Sequence, residues 1–182
     1  MSRPRATATA PATAAKPGAT SATIRIARAR PALARAQAGW IVGMEPWRGL
    51  GYSAAPLGRW LAHEARDQDV WIARTRAASA GAVDGILVLD VPFLLGGFVA
   101  LLAVRPSAAG RGVGRALVER ARQQIFAVRG RRWLYVSADS GNHAALAFYR
   151  RIGFARVGRL PDLIRAGNTE ILLRQGPGDA KP

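Results

Sequence analysis

Asn142-His143-Ala144-Ala145-Leu146-Ala147-Phe148-Tyr149-Arg150-Arg151-Ile152-Gly153-Phe154 is the stretch on which the reading of this chain turns. His143–Ile152 has the amphipathic spacing of a helix. Asn142 can cap its start and Gly153 can end it. Tyr149 reads here as a core aromatic beside Phe148.

Upstream stands a second informative run, Val104-Arg105-Pro106-Ser107-Ala108-Ala109-Gly110-Arg111-Gly112-Val113-Gly114-Arg115-Ala116-Leu117. A glycine-rich turn directly ahead of a helix leaves backbone amides outside the helical ladder. With the helix dipole they form an anion site fit for a pyrophosphate, and glycines let the ligand come close. The helix that follows, Val113–Val128, repeats Val113, Leu117, Ala121, Ile125 and Val128 at helical spacing, with Arg115, Glu119 and Arg122 outside. A dinucleotide fold would carry such a loop near its first strand with an acidic residue roughly 20 positions later. Here the loop lies past mid-chain and Arg129, Arg131 and Arg132 follow the helix. No Gly-Lys-Ser/Thr is present in the loop, so the nucleotide P-loop pattern fails as well.

Around these two runs the chain alternates. Thr23–Arg28 reads as a half-buried strand and Pro31–Ala38 as a short helix. Ser53 is placed to cap a helix over Ala54–Ala65. Val70–Arg74, Val83–Asp90, Phe98–Val104, Trp133–Ala138, Ala155–Arg159 and Thr169–Leu173 read as strands. This order implies a mixed sheet with helices on its faces, an α/β (α+β) class. Residues 1–22 are rich in Ala, Thr and Pro and read as a disordered extension, 23–175 as the folded domain, and 176–182 as a flexible tail.

Composition narrows the chemistry. With no cysteine, the 182 residues hold no disulfide framework, Cys-ligated zinc or thiol nucleophile. His63 and His143 are the only histidines, too few for a His-rich metal site, so no metal is expected. No apolar run of about 18 residues exists, so no membrane span is expected, and the start lacks a secretory core. A cytoplasmic enzyme is the expectation, an organelle transit peptide the alternative. The net charge of +16 is almost all arginine, since Lys16 and Lys181 are the only lysines. Arginine pairs well with phosphate, which suggests a polyanionic partner, either a phosphate-bearing cofactor or nucleic acid.

The run 142–154 resembles the Asn-x-x-Ala-x-x-Phe-Tyr-x-x-x-Gly-Phe segment of the GCN5-related N-acetyltransferase (GNAT) superfamily, and 104–117 resembles that superfamily's cofactor loop. The two stand in the family's order, with one helix and one strand between. The resemblance implies a mostly antiparallel twisted sheet of about seven strands, splayed between the fourth and fifth, with about four flanking helices. It implies that the amides of Gly110, Arg111, Gly112, Val113, Gly114 and Arg115 hold the pyrophosphate of acetyl-coenzyme A. Leu102, Ala103 and Val104 would pair with the pantetheine arm, with Asn142 and Phe148 also on the cofactor side. Tyr149 takes the general-acid position, a phenol protonating the departing thiolate.

Two positions depart from the family pattern. Ala109 stands where Arg or Gln is usual, and Ala100 where many relatives carry a glutamate base. The base is unassigned, with Asp90, Glu45, Asp162 and Glu170 as candidates by elimination. On the acceptor side, Glu45, Trp47 and Tyr52 lie on the Gly/Pro-rich loop Gly43–Ser53 and could bind an amine through carboxylate and cation–π contacts, or anchor the loop on the core. The expected activity is acetyl transfer from acetyl-coenzyme A to a primary amine in a ternary complex, by a monomer or homodimer. Alternatives are a non-catalytic acyl-coenzyme A sensor and acetylation of an RNA-linked amine, against which aromatic content of only 7% weighs.

Overall fold

The apolar runs of the sequence assemble into one sheet. The computed structural model describes residues 23–76 and 82–180, so the extension over 1–22 lies outside the described residues. In chain order the elements are β1 (Ile24–Arg28), α1 (Pro31–Arg35), α2 (Ala38–Val42), α3 (Ala54–Glu64), β2 (Val70–Thr75), β3 (Gly85–Phe93) and β4 (Gly96–Val104). A 3-10 turn (Pro106–Ala108) leads to α4 (Val113–Phe126), β5 (Trp133–Asp139), α5 (His143–Arg151), β6 (Ala155–Pro161) and β7 (Thr169–Gln175). The seven strands lie in the order β1-β2-β3-β4-β5-β7-β6. Only β4 and β5 are parallel neighbours; the other pairs are antiparallel.

All nine residues of β4 are buried, because both faces of the sheet are covered. Val99, Leu102 and Val104 pack under α4 and α5 with Leu117, Ala121, Ile125 and Tyr149. Phe98, Ala100, Leu101 and Ala103 pack on the other face with Ile41, Trp47, Leu57, Trp60 and Leu61. Ala100 and Leu101 are consecutive yet share a face. The reason is a bulge: Val88 pairs with Leu101 and Leu89 with Val99, which leaves Ala100 as the extra residue.

The β4–β5 ladder runs only from Gly96↔Trp133 to Val99↔Val136. Past the bulge the strands part, so the expected splay is present. β3 holds the far edge of β4 out to Val104, and β7 holds the far edge of β5 out to Asp139. The edge of β4 that faces β5 is left without a strand over its second half.

Three local expectations change. The single helix over Pro31–Ala38 is two short ones, α1 and α2. Gln37 sits at the joint, where its Nε2 donates to the Leu33 carbonyl (2.7 Å) and its Oε1 accepts from Trp40 Nε1 (3.0 Å). Ser53 holds the N-cap position of α3 but its side chain makes no capping hydrogen bond. α4 stops at Phe126, leaving Val128 44% exposed rather than on the buried face. Within residues 176–180 Gly176 N donates to Asp179 Oδ2 (2.7 Å), and Arg122 Nη2 of α4 donates to the Pro177 carbonyl (3.3 Å).

Candidate functional site

The opening between β4 and β5 organises the site. On one side of it the loop Arg105–Gly112 turns the chain into α4. Gly112 occupies the N-cap with φ +82°, a left-handed conformation that favours glycine, and no side chain caps the helix. The first turn of α4 therefore presents its amides outward, with the positive end of the helix dipole behind them. A cavity of about 200 Å³ lies there, lined by Val104, Gly110, Gly112, Val113, Gly114, Arg115 and Phe148, among others. Gly114 is needed for closeness: a Cβ there would meet the Phe148 ring at 3.3 Å. Arg111 is exposed and outside this lining.

A larger cavity, about 700 Å³, opens on the other side. Its walls come from the α2–α3 loop (Met44, Glu45, Gly49), the end of β4 (Val104), the turn after it (Pro106, Ala109), the β5–α5 loop (Asp139, Asn142) and the β6–β7 connection (Arg165, Asn168). Val104 lines both cavities, so the two chambers meet at the end of β4. Arg165 Nη1 donates to the Gly49 carbonyl (3.3 Å), joining two of the walls across the mouth. Leu102 and Ala103 line neither chamber; both are buried on β4.

Asn142 is both cap and wall. Its Oδ1 accepts from Ala145 N (3.0 Å) and the residue lines the larger cavity. Asp139, which sequence reasoning did not single out, organises the turn ahead of it. Its Oδ1 accepts from Gly141 N (2.7 Å) and its Oδ2 from Asn168 Nδ2 (3.0 Å), tying β5 to the start of β7. Its place three residues before Asn142 was the available signal; Arg165 and Asn168 had none, because only the β6–β7 pairing brings them here.

Tyr149 is fully buried in the α4–α5 core and lines neither cavity. Its ring stands edge-on to Phe148 and Phe154, with centroids 5.1 and 5.4 Å away. The hydroxyl has no hydrogen-bond partner. Burial pushes the phenol well above its ordinary pKa, so it holds its proton.

The acceptor-side residues are dispersed. Glu45 reaches the larger cavity, but it also closes its own loop, accepting from Arg48 Nε (2.9 Å) and Gly49 N (3.0 Å). Trp47 is buried in the core beneath the loop, away from the cavity wall, where its indole anchors the turn. Tyr52 lines a separate small cavity with Leu50, Ser53 and Leu57. Burial first, then the Glu170 charge, raises the Tyr52 pKa.

The candidate bases separate clearly. Asp162 serves the β6–β7 turn, its Oδ1 accepting from Gly167 N (2.7 Å). Asp90 pairs with Phe98, at the end of β4 still joined to β5. Glu170 is 2% exposed and its Oε2 has no partner. Burial raises its carboxyl to about 7, the neighbouring Asp139 charge adding to the shift and a hydrogen bond with Ser137 opposing it.

That shift has a consequence for stability. Between the ordinary glutamate value of 4.5 and about 7 the folded chain keeps a proton that the unfolded chain has lost. The contribution of Glu170 to stability therefore falls as pH rises through that window. Glu170→Gln does not titrate, so its melting temperature should gain on the wild type as pH is raised from about 5 to about 8. A constant difference in calorimetry would contradict this.

Comparison with known proteins agrees with the geometry. The family model described as acetyltransferase (GNAT) domain matches residues 66–156. The structure of Arabidopsis thaliana NAA60, in complex with a bisubstrate analogue, is 17% identical and superposes with a TM-score of 0.68 over 87% of this chain and all (100%) of that one. Ribosomal-protein-alanine N-acetyltransferase from Brucella melitensis is 20% identical, with a TM-score of 0.64 over 84% of this chain and 99% of that one. At these identities the likeness is one of fold. An uncharacterized protein of Mycobacterium leprae is 33% identical over 72 residues, which are 40% of this chain and 19% of that relative, so the match spans about a fifth of it. No helix among the described residues is long and apolar enough to cross a membrane. The splayed sheet, the uncapped helix start and the family match together identify the chain as a member of the GNAT family of acyltransferases.

Proposed function

We propose that this chain transfers an acetyl group from acetyl-coenzyme A to a primary amine, by direct attack while both are bound. The observation that carries the reading is the meeting of two chambers at Val104, one under the uncapped start of α4 and one under the acceptor loops. The family's donor suits these residues in three respects: a strandless edge on β4, outward amides at α4, and a buried phenol without a partner.

In this reading the amides from Gly110 to Arg115 bind the pyrophosphate. Leu102, Ala103 and Val104 offer backbone groups to the pantetheine arm as an added strand would, and Asn142 and Phe148 flank it. The donor supplies an activated acyl carbon on a thioester. Tyr149 holds its proton for the leaving sulfur. Asp139, a carboxylate on the wall of the larger chamber, favours a cationic amine over an anionic acceptor.

The test is release of free thiol from acetyl-coenzyme A in the presence of an amine panel spanning alkylamines, polyamines, aminoglycosides and peptide α-amines. Calorimetric titration with coenzyme A accompanies it. Binding together with amine-dependent thiol release is the expected result. Tight binding with no release on any amine would refute acetyl transfer and leave a sensing module.

A further inference from the structure

We infer that Glu170 is the group that accepts the proton from the acceptor amine. The strand register places it. In an antiparallel pair, directly opposite residues share a face, and so do alternate residues along each strand. Asp139 lies opposite Glu170, and Ser137 opposite Leu172. These four residues therefore project from one face. Leu172 packs against the core that contains Ala100 and Tyr135, so that face is the one covered by α1–α3. Glu170 thus stands on the face covered by α1–α3, directly beside Asp139 of the larger cavity's wall; it is buried behind that wall and does not itself line the cavity.

Its surroundings suit proton exchange better than structural support. A buried carboxylate with an unpartnered oxygen is a cost to the fold, and such groups call for an explanation. Ser137 engages the carboxylate, while Oε2 has no protein partner. Two titratable groups face it: Asp139 from β5 and Tyr52 from the α2–α3 loop. Asp139 already has both oxygens engaged, by Gly141 and Asn168. Glu45 is held by Arg48 and Gly49, and Asp162 by Gly167. Burial pushes the Glu170 carboxyl up to about 7, which suits a base at a neutral working pH.

The chemistry balances. The ammonium nitrogen gives one proton to Glu170, and its freed lone pair forms the C–N bond as the electrons of the C–S bond leave with sulfur. Tyr149 donates its phenolic proton to that sulfur and recovers one from the nitrogen. Glu170 then loses its proton to solvent. This inference rests on the acetyl-transfer reading, and the experiment separates the two.

The experiment measures kcat/KM from about pH 5 to about 9 for the wild type, Glu170→Gln and Ser137→Ala. Each is assayed with an alkylamine from the panel and with methoxyamine, which is neutral at these pH values. In the wild type an acid limb near pH 7 is expected with the alkylamine. Glu170→Gln should lose that limb and about 10²-fold in kcat, with KM for acetyl-coenzyme A unchanged and the methoxyamine rate largely kept. Ser137→Ala removes the hydrogen bond that lowers the carboxyl and should move the limb to higher pH; an unmoved limb overturns the inference even if Glu170→Gln does not fold. In the ligand-free protein, 13C-carboxyl NMR should show a glutamate titrating near pH 7 that Glu170→Gln deletes, and its absence would also overturn the inference. A wild type inactive on every amine sinks acetyl transfer itself. An active wild type whose limb survives in Glu170→Gln sinks only the role of Glu170.

Discussion

Replacing Tyr149 by Phe should lower turnover by about 10²-fold and raise the melting temperature. The two effects have one origin. The phenol is fully buried and its hydroxyl has no partner in the folded protein. Removing the hydroxyl relieves a buried unsatisfied group, a gain of about 1 kcal/mol. For a domain of this size that gain raises the midpoint by about 2–4 °C. The ring contacts to Phe148 and Phe154 survive the change, so packing is kept. The rate falls because the leaving sulfur no longer receives a proton. Coenzyme A affinity, read by calorimetry, should stay within about twofold, since binding is assigned to backbone amides at α4 and β4. A merely structural tyrosine would give the stability gain without the rate loss, so unchanged turnover removes Tyr149 from the mechanism.

Gly96→Ala should be strongly destabilising for a single methyl, at about 3 kcal/mol or more. A Cβ on Gly96 would overlap the Trp133 carbonyl oxygen, an atom of the backbone that cannot rotate away. This is the first rung of the only parallel ladder in the described sheet. Gly39, in α2, is the control: nothing lies within 4 Å of a Cβ there. Gly39→Ala should be neutral or stabilising by about 0.5–1 kcal/mol. Urea unfolding of both variants checks the contrast, and equal effects would show that the tight approach of β4 to β5 is not what the glycine serves. A folded but loosened Gly96→Ala should also bind coenzyme A less well, because the strands must be joined at one end to open in a defined way at the other.

The legible parts of the fold are those whose signals are local. α4 and α5 announced themselves through helical spacing and flanking glycines, and the alternating runs became strands with ends moved by a few residues. Gln37 escaped notice because its effect depends on two hydrogen bonds rather than on helix propensity. The site divides in the same manner. The start of α4 is built from consecutive residues, so Gly112 and Gly114 could be read directly. Trp47 could not, because a loop tryptophan looks alike in sequence whether it faces ligand or core. Glu170 depends most on long-range structure. Its burial, its Ser137 contact and its place beside Asp139 all follow from the β5–β7 register, which no neighbouring residue encodes.

That register also sets an order of events during synthesis. β7 is made last of the seven strands, yet it lies between β5 and β6. Until it emerges, β5 has an open edge and β6 has no neighbour, and unpaired edges invite wrong partners. α5 depends on it too, since Gln175 at the end of β7 donates to the Ile152 carbonyl beside the helix end (2.6 Å). A growing chain can therefore form the glycine turn ahead of α4 early, while Tyr149 on α5 and Glu170 on β7 come into register only with the final strand. The two groups proposed to move protons thus reach their places after the turn proposed to hold the donor.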